Sequence, residues 1–143
     1  MQPEKISLTN TLLVELSTLS KSRYPEESCA ALFGTIKHSN PPSYTVTKIS
    51  ALNNITHSRV EFRLDEMELY TQWREHENEG LSLLGIFHSH PDDAYISRYD
   101  KLVILNTGKL YPELVWVVYG NQSHLFKAFI LYRTNRIKEI PII

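Results

Sequence analysis

Short apolar runs that alternate with helical segments constrain the fold of this chain more than any other feature. The runs SCAALFGTI (28–36), LSLLGIFHSH (81–90) and LVWVVY (114–119) have the length and composition of buried strands. A helical pattern that starts at Asp65 separates the first run from the second, and a shorter one that starts near Ser97 separates the second from the third. Strands interleaved with helices predict an α/β layered domain.

The first two predicted helices have recognisable starts. The first is predicted from Ile6 to Lys21, with Ser7 or Thr9 as its N-cap. The second has Asp65 as its N-cap and Glu68 three residues later, which together form a capping-box pattern. The glycine that follows the second helix supplies its C-terminal stop.

Size and composition indicate one soluble domain. The chain has 143 residues, of which 42% are hydrophobic and 22% charged, and no linker divides it, so residues 1–143 are predicted to form a single domain. The net charge of −1 gives no reason to expect nucleic acid as a partner. The apolar runs are too short to span a bilayer and MQPEKISLTN lacks the apolar segment of a signal peptide, so we expect a cytoplasmic protein that binds no membrane.

Two histidines end the second apolar run. His88 and His90 are separated only by Ser89, so on an extended strand both imidazoles project to one face and the serine to the other. Two neutral imidazoles at the end of a strand suit Zn²⁺. The alternative is a pair of histidines in a polar loop, and the pair alone does not decide between the two.

Ser97 and Asp100 allow two compatible interpretations. Ser97 can cap the third helix, with the Asp100 carboxylate in the first turn, where the helix dipole favours a negative charge. An aspartate in a first helical turn is also well placed to be a third metal ligand. With His88 and His90 it would complete the three protein ligands of a catalytic zinc site, which keeps one position open for water.

A zinc-bound water needs a general base, and the candidate is Glu27. It lies at the polar start of an apolar strand in YPEESCAALFG (24–34), whereas Glu26 is expected to be solvated. Taken alone, this stretch is better explained by two ordinary loop carboxylates. Cys29 is the single cysteine, which excludes an intramolecular disulfide. It lies in an apolar strand with no histidine adjacent in sequence, and we do not expect it to act as a nucleophile.

Together these stretches resemble the signature of the JAMM (MPN-plus) zinc metalloproteases. That signature is Pro-x-Glu-x-Cys-Gly before an apolar strand, then His-x-His-Pro, then Ser-x-x-Asp. The matching segments here are Pro-Glu-Glu-Ser-Cys-Ala (25–30), His-Ser-His-Pro (88–91) and Ser-Arg-Tyr-Asp (97–100). Three motifs in this order are far more specific than any one of them. The resemblance, which is to the compact prokaryotic members, implies a single JAMM/MPN-type α/β domain with a mixed β-sheet flanked by helices.

The resemblance also implies roles for five residues. His88, His90 and Asp100 would bind one zinc ion per chain. Glu27 would be the general base, and the hydroxyl of Ser97 would steady the oxyanion formed during amide hydrolysis.

This chain departs from the family signature at two places. Ala30 stands where the signature has glycine, and we expect an effect on backbone packing only. Six residues separate His90 from Ser97, where the family usually has seven. We expect a tighter turn, within DDAYI (92–96), that still carries an intact helix start.

The implied function is that of a zinc-dependent peptidase or isopeptidase. Its substrate would be the C-terminal Gly-Gly tail of a ubiquitin-like protein and, by similarity to compact prokaryotic members, of a sulfur-carrier protein. One alternative is a catalytically inactive MPN-type binding module, which the presence of all five motif residues argues against. The other is a zinc hydrolase of a small molecule, a class that usually recruits a pair of cysteine ligands absent from this sequence.

Three further expectations concern residues outside the motifs. His76, in the charged segment WREHENEG, is expected to be solvated. Met67, Tyr70 and Trp73 are expected to form a stripe on the second helix that faces the core. The sequons at 54–56 and 121–123 carry no functional prediction, because no secretory route is expected.

Overall fold

The computed structural model of this protein describes residues 2–133 and 135–143. The described residues form three α-helices and seven β-strands. In chain order the elements are β1 (Ile6–Ser7), α1 (Asn10–Arg23), β2 (Cys29–Lys37), β3 (Ser43–Leu52), α2 (Glu66–Asn78), β4 (Ser82–His90), α3 (Arg98–Gly108), β5 (Val115–Gly120), β6 (Phe126–Tyr132) and β7 (Arg136–Ile140). None of the helices in this described part combines the length and the apolar character that crossing a bilayer requires.

The seven strands form one mixed sheet in the order β1-β3-β2-β4-β5-β6-β7. The β1–β3 and β4–β5 pairs are parallel, and the other neighbours are antiparallel. The predicted mixed α/β architecture is therefore confirmed. Because β4 is paired on both sides, its C-terminal end, which carries the two histidines, is supported from both directions.

Side-chain alternation along β4 decides on which face of the sheet the histidines lie. Phe87 packs on the face covered by α1, whereas Ile86 packs on the face covered by α2 and α3. Side chains two residues apart on a strand share a face, so His88 and His90 point to the same side as Ile86. The histidine pair therefore lies under α2 and α3.

The predicted caps of α1 and α2 are present, but the return bond of the predicted capping box, from the Glu68 side chain, is not formed. Thr9 caps α1 by accepting from the N–H of Leu12 at 3.3 Å, and Asp65 caps α2 by accepting from the N–H of Glu68 at 3.2 Å. The Glu68 carboxylate turns away from this cap and accepts from the backbone and the side-chain amide of Asn53, at 2.7 and 3.1 Å. Glu68 thus ties α2 to the loop after β3.

The predicted start of the first helix is wrong by one turn, because Ile6 belongs to a strand. Ile6 is fully buried and pairs in parallel with Tyr44 of β3. Its N–H donates to the carbonyl of Pro141 at 3.1 Å, and its carbonyl accepts from the N–H of Ile143 at 2.9 Å. These long-range partners satisfy the Ile6 backbone, so α1 begins only at Asn10.

His76 is buried in the structure, with 6% of its surface exposed, and the prediction that it is solvated is wrong. Its Nε2 lies 2.8 Å from the hydroxyl of Ser50, and its ring lies 4.3 Å from that of Phe33. A hydroxyl on β3 and an aromatic ring on β2 therefore replace the water that the charged helical segment led us to expect.

The core-facing stripe on α2 also differs from the prediction. Met67 is 71% exposed and Tyr70 is 54% exposed, whereas Leu69 and Trp73 pack against the core. Of the predicted stripe only Trp73 faces the core. The buried side of α2 is formed by Leu69, Trp73 and His76, which follow one another at intervals of about one helical turn.

Candidate metal centre

The antiparallel pairing of β2 with β4 brings Glu27 beside the histidine pair. Cys29 is the partner of His88 in this ladder. Because the two strands are antiparallel, Glu27, two residues before Cys29, comes beside His90, two residues after His88. Oε2 of Glu27 lies 3.0 Å from Nδ1 of His90. Both side chains are buried.

Asp100 reaches the same point from the start of α3. Its Oδ2 lies 2.9 Å from Nε2 of His90 and 3.0 Å from Nε2 of His88. The same oxygen accepts from the backbone N–H of Ser97 at 3.0 Å, while Oγ of Ser97 accepts from the N–H of Asp100, also at 3.0 Å. This reciprocal capping box holds Asp100 in position, as the Ser-x-x-Asp spacing predicted.

The turn that links β4 to α3 is held by the end of β5. The backbone N–H of Asn121 donates to the carbonyl of His90 at 3.0 Å. Gly120 allows the turn to approach closely, because a Cβ at this position would lie 2.5 Å from Cα of Asp93. The turn brings Asp100 to the histidines and leaves the start of α3 intact, as expected for a turn one residue shorter than in the family signature.

The four side chains fit a metal ion. One potential ligand atom from each of Glu27, His88, His90 and Asp100 lies within 4.8 Å of the others, and all four residues are buried. Within the described residues, several polar atoms of this cluster have no hydrogen-bond partner: Oε1 and Oε2 of Glu27, Nδ1 and Nε2 of His88, and Oδ1 of Asp100. The contacts of Glu27 Oε2 and His88 Nε2 at about 3 Å are short but are not aligned as hydrogen bonds.

Unpartnered buried polar groups cost roughly 1–3 kcal/mol each, which is a reason to expect a ligand among them. A cation would satisfy nitrogen and oxygen atoms that face it from several sides at once. Two imidazoles with carboxylate oxygens, and no thiolate, form a donor set that suits Zn²⁺. The residues present therefore fit a metal site.

Two aromatic rings cover the histidines. Phe62 stacks on His88 at a centroid distance of 4.3 Å and an interplanar angle of 20°, and Tyr95 stacks on His90 at 4.5 Å and 12°. Phe62 is buried and its carbonyl accepts from the hydroxyl of Tyr99 at 2.9 Å. Tyr95 is 44% exposed, so it lies at the mouth of the site.

Neither aromatic residue is among those that the sequence predicts for the site. For Tyr95 a signal existed, because it lies within the turn that joins the histidines to α3. For Phe62 there was none beyond its place before the second helix, since its contact with His88 depends on how a distant loop folds back over β4.

The contacts within the cluster shift the ionisation of its members. Burial raises the pKa of Glu27 above its usual value, although His90 partly opposes the shift. Burial by itself would lower the pKa of His90, but its interactions with Asp100 and Glu27 outweigh that and raise the pKa to about 10. Burial would likewise raise the pKa of Asp100, but the two histidines hold it well below its usual range.

Comparison with known proteins identifies the family. Residues 9–132 match the family described as prokaryotic homologs of the JAB domain. The chain is 32% identical over 117 residues to a desampylase from Pyrococcus furiosus, covering 82% of this chain and 75% of that protein. Its fold is similar to the solution structure of protein DSY2949 from Desulfitobacterium hafniense, with a TM-score of 0.82, 25% sequence identity, and coverage of 96% of this chain and 91% of that one.

The fold and the buried cluster define a mixed α/β domain with a candidate metal site at the end of its central strand. Because the family match extends over most of the sequence, the chain belongs to the prokaryotic JAB domain family. The resemblance inferred from the three motifs is confirmed. The family and the desampylase relative together indicate a hydrolase.

Proposed function

We propose that this protein is a zinc metallopeptidase that hydrolyses the amide bond after the C-terminal Gly-Gly of a ubiquitin-like or sulfur-carrier protein. The observation that carries the proposal is the meeting of Glu27, His88, His90 and Asp100 in one buried cluster with unpartnered polar atoms. The likeness to a desampylase supports a ubiquitin-like modifier as the class of substrate.

Three side chains would hold the metal. His88 and His90 offer Nε2 nitrogens that converge on Oδ2 of Asp100, and two imidazoles with one carboxylate make the three protein ligands of a catalytic zinc site. When bound, zinc supplies polarisation of the scissile carbonyl and a water whose pKa is lowered to about 7. The backbone N–H of Ser97 donates to the same Oδ2 of Asp100 and so orients this carboxylate.

Glu27 would be the general base. Its Oε2 contacts His90, which leaves Oε1 to accept a proton, and burial raises the pKa of Glu27 above its usual value, which favours a general base. Glu27 removes a proton from the water as the water oxygen attacks the carbonyl carbon. The same carboxyl returns the proton to the amide nitrogen as the C–N bond breaks, so that a carboxylic acid and a free amine are released.

Ser97 would stabilise the oxyanion. Its Oγ accepts from the N–H of Asp100, which leaves the hydroxyl proton available for donation, because a hydroxyl can accept and donate at once. The side chain is half-buried at the start of α3. A donor of this kind is worth roughly 2.7–4 kcal/mol in the transition state of acyl transfer.

The surroundings of the cluster favour a slender substrate tail. β4 is paired with β2 and β5, so a peptide cannot add to β4 itself and must approach its end. The half-exposed ring of Tyr95 lies over His90 at that end. Glycine has no Cβ that could collide with the Tyr95 ring. We propose that the limited space beside this ring selects the Gly-Gly tail.

The test uses a Gly-Gly carrier protein that bears a short C-terminal extension. Incubation with the wild-type protein should release the extension directly after the second glycine, as measured by mass spectrometry. A chelator should stop the cleavage and added zinc should restore it. Replacing the second glycine of the carrier by valine should strongly reduce cleavage.

Glu27→Gln provides the matched control, because it should reduce turnover to a small residual rate while elemental analysis still finds one zinc per chain. Cleavage that resists the chelator, or equal cleavage of the valine carrier, would refute the proposed mechanism or specificity. If the protein takes up no zinc at all, the zinc-peptidase proposal fails, and this result favours the binding-module alternative.

A further inference from the structure

A loop, together with the end of the β2–β4 ladder, holds the backbone of Glu27. β2 begins at Cys29, so Glu27 lies just before the ladder starts. Its N–H donates to the carbonyl of Ser58 at 2.8 Å, and its carbonyl accepts from Nδ2 of Asn54 at 3.0 Å. The loop formed by residues 53–63 therefore binds the N–H and the carbonyl of Glu27, whereas the next residue, Ser28, is bonded to β4 through its carbonyl, which accepts from the N–H of Ser89 at 3.0 Å.

The side-chain amide of Asn54 organises this loop. Asn54 is buried, with 4% of its surface exposed. Besides the bond to Glu27, its Nδ2 donates to the carbonyl of Glu61 at 3.1 Å. Its Oδ1 accepts from the N–H of Arg63 at 3.0 Å, and from the N–H and the hydroxyl of Thr56 at 3.2 and 2.7 Å. Both ends of the amide are in use, so only a group that donates and accepts can replace it.

The Glu27 side chain depends on its backbone for position. Neither of its carboxylate oxygens has a hydrogen-bond partner within residues 2–133 and 135–143, and the only close polar contact that we find there is with His90. A displacement of the backbone is therefore passed on to the carboxylate. In enzymes, a misplacement of about 1 Å can cost on the order of 10²-fold in rate.

We propose that Asn54 is a positioning residue for Glu27. It does not touch the reacting atoms; it holds the peptide unit of the general base so that the carboxylate stays beside the metal ligands. This inference rests on the proposed function for the role of Glu27. The hydrogen bond from Asn54 to the Glu27 carbonyl can nevertheless be tested independently of any activity.

The decisive variant is Asn54→Asp, which keeps the acceptor oxygen but loses both amide hydrogens. With the carrier assay, kcat should fall on the order of 10²-fold, while KM and zinc content stay at wild-type values. Within the described residues no hydrogen bond joins this loop to the three metal ligands, and Phe62, which stacks on His88, is not a hydrogen-bond partner of the Asn54 side chain. Amide hydrogen exchange followed by NMR should show the Glu27 N–H exchanging at least about tenfold faster, whereas the amides of β4 keep their rates.

Two controls separate positioning from a general loss of structure. Thr56→Val removes one hydroxyl donor from the Asn54 oxygen but leaves the bond to Glu27, and should change kcat by no more than about twofold. Tyr44→Phe removes a hydrogen bond to the carbonyl of Glu113 outside this loop. It should lower stability without changing either kcat or the exchange of the Glu27 amide.

A double variant tests whether Asn54 acts through Glu27. If it does, adding Asn54→Asp to Glu27→Gln should cause no further loss of the residual rate, because effects that share one route are not additive. Should Asn54→Asp not fold, Asn54→Ser, whose shorter side chain cannot reach both carbonyls, should give the same pattern.

Wild-type exchange of the Glu27 amide in both Asn54 variants would overturn the inference. So would an equal loss of kcat in Tyr44→Phe, or a further loss in the double variant. If the wild-type protein cleaves no carrier, the proposed function fails, and the exchange rates still decide whether Asn54 holds Glu27.

Discussion

The hydroxyl of Ser97 has two functions that can be separated by substitution. As the N-cap of α3 it accepts from the N–H of Asp100, and as the proposed oxyanion donor it uses its own proton. Alanine removes both functions. Glycine also removes the hydroxyl, but it is tolerated at an N-cap with a loss of only a few tenths of a kcal/mol, against typically ~1 kcal/mol for alanine.

The expected changes in stability follow from the size of the chain. Unfolding entropies of about 2.1 cal/mol/K per residue give about 0.3 kcal/mol/K for 143 residues. Ser97→Ala should therefore lower Tm by about 3 °C, and Ser97→Gly by about 1 °C. If the hydroxyl stabilises the oxyanion, both variants should lose 10²–10³-fold in kcat, in the range of about 2.7–4 kcal/mol known for such donors.

The measurement combines calorimetry with the carrier-cleavage assay on the two variants and on Ser97→Thr. Threonine keeps a hydroxyl and a good cap, so it should retain most of the activity and stability. The reasoning is refuted if Ser97→Gly cleaves at nearly the wild-type rate while Ser97→Ala does not. In that case activity follows helix stability, and Ser97 acts only as a cap.

Two other predictions concern Cys29 and the metal-free site. Cys29 is fully buried, and burial raises its pKa to about 12. A thiol-alkylating reagent should therefore neither modify the folded protein nor change its activity. Rapid modification with loss of cleavage would favour a cysteine mechanism. In the metal-free protein His90 has a pKa of about 10 and is protonated at neutral pH, so zinc binding should release about one proton. The affinity for zinc should rise with pH up to that pKa. Calorimetry in buffers of different ionisation enthalpy measures the number of protons released, and a binding enthalpy independent of the buffer would contradict the prediction.

Local sequence patterns determined much of the architecture and the metal-ligand candidates. Strand periodicity put His88 and His90 on one face, and they share that face in the structure. Capping preferences predicted that Ser97 and Asp100 would face each other across the first turn of α3. These inferences hold because side-chain alternation and helix capping act between residues only a few positions apart.

Contacts between distant segments decided the rest. That Glu27 lies beside His90 depends on the register of β2 against β4, which no local pattern specifies. Its own stretch made Glu27 a candidate only, and the resemblance to the JAMM signature implied its role. The burial of His76 and the strand at Ile6 also depend on distant segments. His76 contacts the hydroxyl of Ser50 on β3, and the backbone of Ile6 bonds to residues 141 and 143 near the other end of the sequence.

Asn54 shows most clearly where local information ends. Its Asn-x-Thr pattern is that of a sequon to which the sequence assigns no function. In the structure the Asn54 side chain accepts from the N–H of Thr56, as in a local asparagine turn. That much is local. Its donation to the carbonyl of Glu27 exists only because the loop after β3 packs over the start of β2, and a hydrogen bond between segments so far apart in the chain is formed by tertiary packing alone.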